Sequence, residues 1–194
     1  VKPCFMCKDD PEFSKKHGIK NKNDDDSDNE NNESNENNDN NSDNELFNDG
    51  KDDRNEAHKY KLQGNGYVKM KDYNNAIKYY SMAIERLLKS KKIQLNNDDY
   101  NNLCIYYSNR ALCYINLNDY DNGINDCNNS LKYDSSWIKS YWRRAQCWEH
   151  KNEPKRAIMD YAKIQKIAIS RNDNSSINIA KNGIKKNQAK ISQN

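Results

Sequence analysis

Five polar residues in this chain have the types and spacing of a carboxylate-binding site: Lys61, Asn65, Asn109, Lys139 and Arg143. Two pairs of them are four residues apart, a spacing that places side chains on one face of a helix. Arginine offers a planar fork of N–H donors, lysine a movable ammonium, and asparagine a directed donor without charge. No carboxylate is among the five, so the set predicts a site for carboxylate ligands.

The free C-terminus of another polypeptide is the ligand that suits these donors best. A terminal residue with an acidic side chain presents two carboxylates close together, and one cation alone could not hold both in a single orientation. Capture of a C-terminal carboxylate is an established mode of peptide recognition. Charge-assisted hydrogen bonds contribute about 1.5–3 kcal/mol each. Several of them, after the cost of ordering, predict micromolar affinity.

The segments that carry the five residues are internal repeats, each with an aromatic, a small and a second aromatic residue at fixed offsets. The three patterns are Tyr60-x3-Gly64-x2-Tyr67, Tyr107-x3-Ala111-x2-Tyr114 and Tyr141-x3-Ala145-x2-Trp148. A second pattern follows each of them, with an acidic residue at 72, 119 or 153 and small residues at 76, 123 and 157. Apolar and small positions three and four apart indicate helices, so each repeat predicts a pair of helices. The small residues are expected where the helices approach closely.

The repeat spacing sets the expected domain boundaries. The second and third repeats are 34 residues apart and the first and second 47 apart, which predicts an insertion. The expected repeats are 57–90, 104–137 and 138–171, with the insertion at 91–103, within a domain that spans 54–170. Over 172–194 the apolar residues Ile177, Ala180, Ile184 and Ile191 recur at helical spacing, which predicts a C-terminal capping helix and tail.

The N-terminal segment differs sharply in composition. Residues 21–45 contain eleven Asn, six Asp, four Glu, three Ser and one Lys, with no apolar side chain, so residues 1–53 are predicted to be a disordered acidic arm. That tract carries a net charge of −9 against +3 for the whole chain, so the remainder is basic at about +12. A basic domain can bind nucleic acid, anionic lipid or acidic peptide, and only the placement of its charges decides among them.

The sequence supports metal, nucleic-acid and membrane-spanning sites less well. Cys4 and Cys7 are spaced like zinc ligands, but only His17 is nearby, so no metal site is expected. Tryptophans around Lys139 and Arg143 can indicate single-stranded nucleic acid. Helical spacing assigns Trp148 to the core, so no nucleic acid partner is expected. The other four cysteines are expected to pack as small apolar residues: Cys104, Cys113, Cys127 and Cys147. No membrane span is expected, because no apolar run is long enough.

The 34-residue helix-pair pattern resembles the tetratricopeptide repeat family. The resemblance implies an all-α, right-handed superhelical stack of three helix pairs, followed by the capping helix. Ser130 and Ile164 depart from the family pattern, which usually has a small alanine at these positions. The five polar residues coincide with the two-carboxylate clamp of the family's co-chaperones, within KLQGN, YSNR and KSYWR. In those proteins the clamp holds the Glu-Glu-Val-Asp tail of the 70 kDa and 90 kDa heat-shock chaperones.

The resemblance therefore implies a cytoplasmic, non-enzymatic adaptor with no cofactor, which binds chaperone tails and a second, unidentified client or effector. Two alternatives stay open at this point. A general scaffold or organelle-import receptor domain would bind internal sequences. A regulatory domain would belong to a larger enzyme whose catalytic residues lie elsewhere.

Overall fold

Seven α-helices make up the part of the chain that the computed structural model describes, residues 50–90 and 94–193. Their bounds are α1 Lys51–Lys69, α2 Tyr73–Lys89, α3 Asn97–Asn116, α4 Tyr120–Tyr133, α5 Ile138–His150, α6 Pro154–Ser170 and α7 Asn174–Ser192. These residues contain no strand, and the predicted all-α architecture is confirmed. Residues 1–49 of the predicted acidic arm, with Cys4 and Cys7, lie outside the described residues.

The end of the predicted arm is helical, because residues 51–53 form the first turn of α1. The turn begins after Gly50, whose φ of 81° lies in the left-handed region that favours glycine. Asp52 and Asp53 stand in this first turn, where negative charge favours the helix dipole. Asp53 also pairs with Arg86 of α2 at 3.0 Å. The helix therefore begins six residues before the expected repeat boundary.

The helices pack in chain order, each against the next, and the first helices of the three pairs also contact one another. α3 contacts both α1 and α5. These three helices therefore form one continuous surface, the α1–α3–α5 wall, which carries all five predicted site residues. α7 packs on α6 and closes the stack as the predicted capping helix.

The turn inside each helix pair has one repeated geometry. A residue with left-handed backbone follows each first helix, and the same geometry joins α6 to α7; these residues are Lys71, Asn118, Asn152 and Asn172. An acidic residue directly precedes the next helix, and Asp72 and Asp119 accept hydrogen bonds from backbone N–H groups in the first turn. Pro154 lies at the first position of α6, where its missing N–H costs no hydrogen bond.

The small residues at the repeat positions are buried where two helices meet. A Cβ on Gly64 would lie 2.8 Å from the Tyr80 ring, closer than packed atoms tolerate. Gly66, two residues further along α1, has nothing within 4 Å of its Cβ position. The contrast shows that close approach of α1 to α2 at Tyr80 is what requires a glycine at position 64.

The insertion lengthens α3 at its N-terminus. Asn96 forms a capping box with Asp99, and α3 begins at Asn97, seven residues before the expected start of the second repeat. Asp99 is 1% exposed and accepts hydrogen bonds from Arg54 of α1 at 3.0–3.1 Å. Burial opposes the charge of Asp99, but Arg54 and the Asn96 backbone outweigh burial and lower the pKa of Asp99 below its ordinary value.

The buried face of α7 is rotated from the predicted one. Ala180 is buried, but Ile177 and Ile184 are only half-buried and Ile191 is 37% exposed. The helix instead buries Gly183, whose Cβ would lie 2.6 Å from the Tyr161 ring. The predicted face was chosen from the largest apolar residues of this segment. The Tyr161 ring packs so close to α7 that only a residue without a Cβ fits beside it.

The four cysteines of the repeats are fully buried and pack as predicted. Burial raises the pKa of the Cys104, Cys113 and Cys147 thiols to about 12, so they stay protonated at neutral pH. Trp148 is half-buried rather than in the core, and the Arg156 guanidinium lies 4.6 Å from its ring centroid. No cluster of metal-binding side chains occurs in residues 50–90 and 94–193. No helix in this part is long and apolar enough to cross a membrane.

Candidate carboxylate-binding site

All five predicted site residues lie on the α1–α3–α5 wall. Lys61 and Asn65 are half-buried on α1, and Asn109 is 9% exposed on α3. Lys139 and Arg143, on α5, are 5% and 1% exposed. The structure brings Asn109 and Arg143 into direct contact and places the other three on the helices that contact α3.

Asn65 is held by a residue of α2. The Tyr80 hydroxyl donates a hydrogen bond to Asn65 Oδ1 at 2.7 Å, and Tyr80 is 1% exposed. This bond engages the amide oxygen, and the remaining polar group of the Asn65 side chain is the donor Nδ2. The aromatic ring that packs against Gly64 therefore also fixes the neighbouring polar side chain.

Asn109 of α3 and Arg143 of α5 are in contact with each other. Arg143 Nη1 donates to Ser108 Oγ at 2.7 Å and approaches Asn109 Oδ1 at 3.4 Å. As at Asn65, the amide oxygen faces a protein donor, and the remaining polar group of the Asn109 side chain is the donor Nδ2. Both acceptors are neutral, so these two contacts orient the guanidinium without cancelling its charge.

Ser108 is itself part of a buried chain of hydroxyl groups. Ser140 Oγ lies 3.0 Å from Ser108 Oγ and 2.7 Å from Ser130 Oγ, and Ser130 donates to the Cys104 carbonyl at 2.8 Å. A hydroxyl has one proton, so when Ser140 donates to Ser130, the contact with Ser108 is a donation from Ser108. Every member then has a donor and an acceptor, from Arg143 to the Cys104 carbonyl. The chain ties α3, α4 and α5 together.

Neighbouring arginines show how this protein binds its own carboxylates. Arg110 binds Asp126 through Nε at 2.7 Å and Nη2 at 2.8 Å. Arg144 binds Asp160 through the same two atoms at 3.0 and 2.6 Å. Burial opposes the charge of Arg110, but Asp126 outweighs burial and raises the pKa of Arg110 above its ordinary value. Arg110 is thus an interhelical cation that joins α3 to α4.

Sequence reasoning missed the residues that orient the donors. The repeat spacing predicts no role in the site for Tyr80, Ser108 or Ser140. One signal was present, because Ser130 replaces the alanine that is usual at its position in the family pattern. A buried hydroxyl in place of a methyl group needs hydrogen-bond partners. The hydroxyl chain supplies them.

Residues 62–86 and 106–136 match the tetratricopeptide repeat family. The chain is 36% identical over 111 residues to human serine/threonine-protein phosphatase 5, a match that covers 57% of this chain and 20% of the phosphatase. It therefore spans about a fifth of the length of this relative.

Two solved structures share the fold. One is the TPR2B domain of yeast Sti1 in complex with an Hsp70 peptide, at TM-score 0.60 and 24% identity, covering 70% of this chain and 98% of that one. The other is the first TPR of Spaghetti (RPAP3) bound to the HSP90 peptide SRMEEVD, at TM-score 0.57 and 24% identity, covering 72% and 95%. The matched segments, the repeated helix pairs and these shared folds agree, and this chain carries tetratricopeptide repeats over the matched residues.

Proposed function

We propose that the α1–α3–α5 wall binds the acidic C-terminal tail of 70 kDa or 90 kDa heat-shock chaperones, of the Glu-Glu-Val-Asp type, and that the domain is a non-enzymatic co-chaperone adaptor. The observation that carries the proposal is the contact between Asn109 and Arg143, with Lys139 one helical turn away on α5. The oriented amides and the cations supply donors for two carboxylates at once.

The roles of the five residues follow from their positions. Arg143 and Lys139 supply the positive charge for the carboxylates on the α5 side, and Lys61 supplies it on the α1 side. Asn65 and Asn109 donate from Nδ2, since their amide oxygens are engaged by Tyr80 and Arg143. Two solved neighbours contain chaperone peptides, which supports the proposal through a shared fold.

A regulatory role inside a larger enzyme is a second candidate, favoured by one observation. The matched phosphatase is an enzyme by name, and only 20% of its length is covered by the match. In such a protein the tail-binding site would recruit the enzyme to a chaperone, so the chemistry proposed for the wall is the same. We propose a cytoplasmic location, where chaperone tails of this type are found, and a second client or effector.

The direct test varies the position of the peptide terminus. A ten-residue acidic peptide that ends in Glu-Glu-Val-Asp is titrated against the whole chain, beside the same peptide extended by two glycines. We expect micromolar binding of the first and about tenfold or weaker binding of the second, a difference of about 1.4 kcal/mol. The extension separates the terminal carboxylate from the Asp side chain.

Equal affinity for the two peptides would overturn the proposal and favour a scaffold that binds internal sequences. A peptide of the same composition with a scrambled order and a neutral terminal residue serves as the control for bulk charge. It should bind more weakly than the authentic tail, because it offers only one carboxylate at its terminus.

A further inference from the structure

We propose that one face of α6 is a docking surface for an anionic phospholipid bilayer, to which α6 binds while it stays packed in the stack. This surface, the basic α6 face, consists of Lys155, Met159, Lys163, Lys166 and Ile169. All five side chains are exposed, Met159 at 69% and Ile169 at 56%. The face is separate from the α1–α3–α5 wall, and the proposal does not depend on the function proposed for the wall.

Helical geometry places the five residues on one side of α6. Their spacings of four, four, three and three bring them within a sector of about 120°, because successive helical residues turn by about 100°. The helical rise makes the face about 21 Å long. The buried residues of α6 lie on the opposite side of the helix: Ala157, Asp160, Tyr161, Ile164 and Ala168. The basic α6 face therefore points away from the helices that α6 packs against.

The positive charge of the repeat domain is concentrated in this part of the chain. Residues 151–193 contain eight Lys and two Arg against one Glu and two Asp, a net charge of +7, whereas residues 97–150 carry −2. Asp160 is 3% exposed and binds Arg144, and Asp173 accepts a hydrogen bond from the Ser176 backbone at the start of α7. Two of the three carboxylates are thus engaged within the protein, and the cations dominate the surface.

The lysines of the face keep their charge for an external partner. Lys155, Lys163 and Lys166 form no ion pair within the part of the chain that the structure describes. Other exposed lysines nearby are paired, since Lys151 binds Asp121 and Lys186 binds Glu149. Charge complementarity therefore favours an anionic partner at the basic α6 face.

The two apolar side chains indicate which anionic partner fits the face. Met159 and Ile169 alternate with the lysines along the helix and are exposed. A bilayer surface offers anionic headgroups for lysines and an acyl boundary for apolar side chains at the same place. Single-stranded nucleic acid is bound through its phosphates and by stacking of bases on aromatic rings, and none of the five residues is aromatic. The combination of residues favours lipid.

The test is co-sedimentation of the whole chain with lipid vesicles, without any tail peptide. Vesicles of phosphatidylcholine with about 30% phosphatidylserine should bind at least about tenfold more strongly than vesicles of phosphatidylcholine alone. Lys163→Ala with Lys166→Ala should weaken this binding about 10- to 30-fold. Lys59→Ala with Lys78→Ala is the matched control, because it removes two exposed lysines from α1 and α2. It should weaken binding less than about threefold.

A second double variant tests the apolar contribution. Met159→Gln with Ile169→Gln leaves the charge unchanged, and both positions are exposed, so the fold should be kept. Binding to the anionic vesicles should fall about fivefold or more, because the side chains no longer enter the acyl boundary. Binding to a uridine homopolymer, used as a soluble polyanion, should be unaffected by this variant and weaker than binding to the vesicles.

Equal binding of the wild-type chain to anionic and neutral vesicles would overturn the proposal, as would equal losses in the two lysine double variants. Full vesicle binding by Met159→Gln with Ile169→Gln would overturn the assignment to a bilayer and favour nucleic acid or an acidic protein. The result is independent of the wall, because no tail peptide is present. Lys163→Ala with Lys166→Ala is expected to keep its affinity for the tail peptide while it loses vesicle binding.

Discussion

Replacing Lys139 and Arg143 together with alanine is expected to weaken binding of the tail peptide roughly 100-fold or more. The two side chains lie one turn apart on α5 and are 5% and 1% exposed, so their charges act in a site with little solvent screening. After the loss of both cations, the proposed donors that remain for the ligand carboxylates are Lys61, Asn65 and Asn109. Fluorescence anisotropy or calorimetric titration measures the effect.

A matched double variant separates local contacts from bulk charge. Lys163→Ala with Lys166→Ala also removes two positive charges, but both lysines are exposed on α6, outside the wall. We expect this control to change affinity less than about threefold at physiological salt, because exposed charges beyond a Debye length of roughly 8 Å are largely screened. Equal losses in the two double variants would show that the ligand is held by net charge alone.

Asp126→Ala is expected to destabilise the domain by about 3–5 kcal/mol, the largest effect on folding that the described residues predict. The Asp126 side chain is 2% exposed and binds Arg110, which is 17% exposed. Removing the carboxylate leaves a partly buried guanidinium with only the Ser81 hydroxyl among these partners. Urea or thermal unfolding, followed by circular dichroism, measures the loss.

Asp121→Ala in the same helix is the control for this prediction. Asp121 pairs with Lys151 at 2.6 Å, but its side chain is 82% exposed. Exposed pairs contribute about 0–1 kcal/mol, so this variant should unfold close to the wild type. A similar loss in both variants would contradict the view that burial makes the Arg110–Asp126 pair important.

Much of the fold and of the candidate site could be predicted from the sequence, because both depend on residue spacing. Small residues recur at the helix contacts, and the five polar residues fall on the wall formed by α1, α3 and α5. Spacing on one helix does not reveal contacts between helices. Tyr80 and Ser108 therefore escaped prediction, since their roles depend on which side chains meet across helix pairs.

Two further differences have local physical causes. The capping helix turns the small Gly183 inward because the Tyr161 ring leaves no room for a Cβ, and a hydrophobicity pattern does not register such a contact. Both α1 and α3 begin early, and their first turns are joined by the Arg54–Asp99 pair, whose partners are 45 residues apart in sequence. Repeat periodicity does not predict which residues pair across such a distance in sequence.

The measurement that tests the central claim most directly is a calorimetric titration of the wild-type chain with one tail peptide in two forms, the free acid and the C-terminal amide. The two forms differ by a single charge and share every side chain. If the wall binds a chain terminus, the acid binds with micromolar affinity and the amide at least about tenfold more weakly. Equal affinity for acid and amide would contradict the proposed carboxylate site.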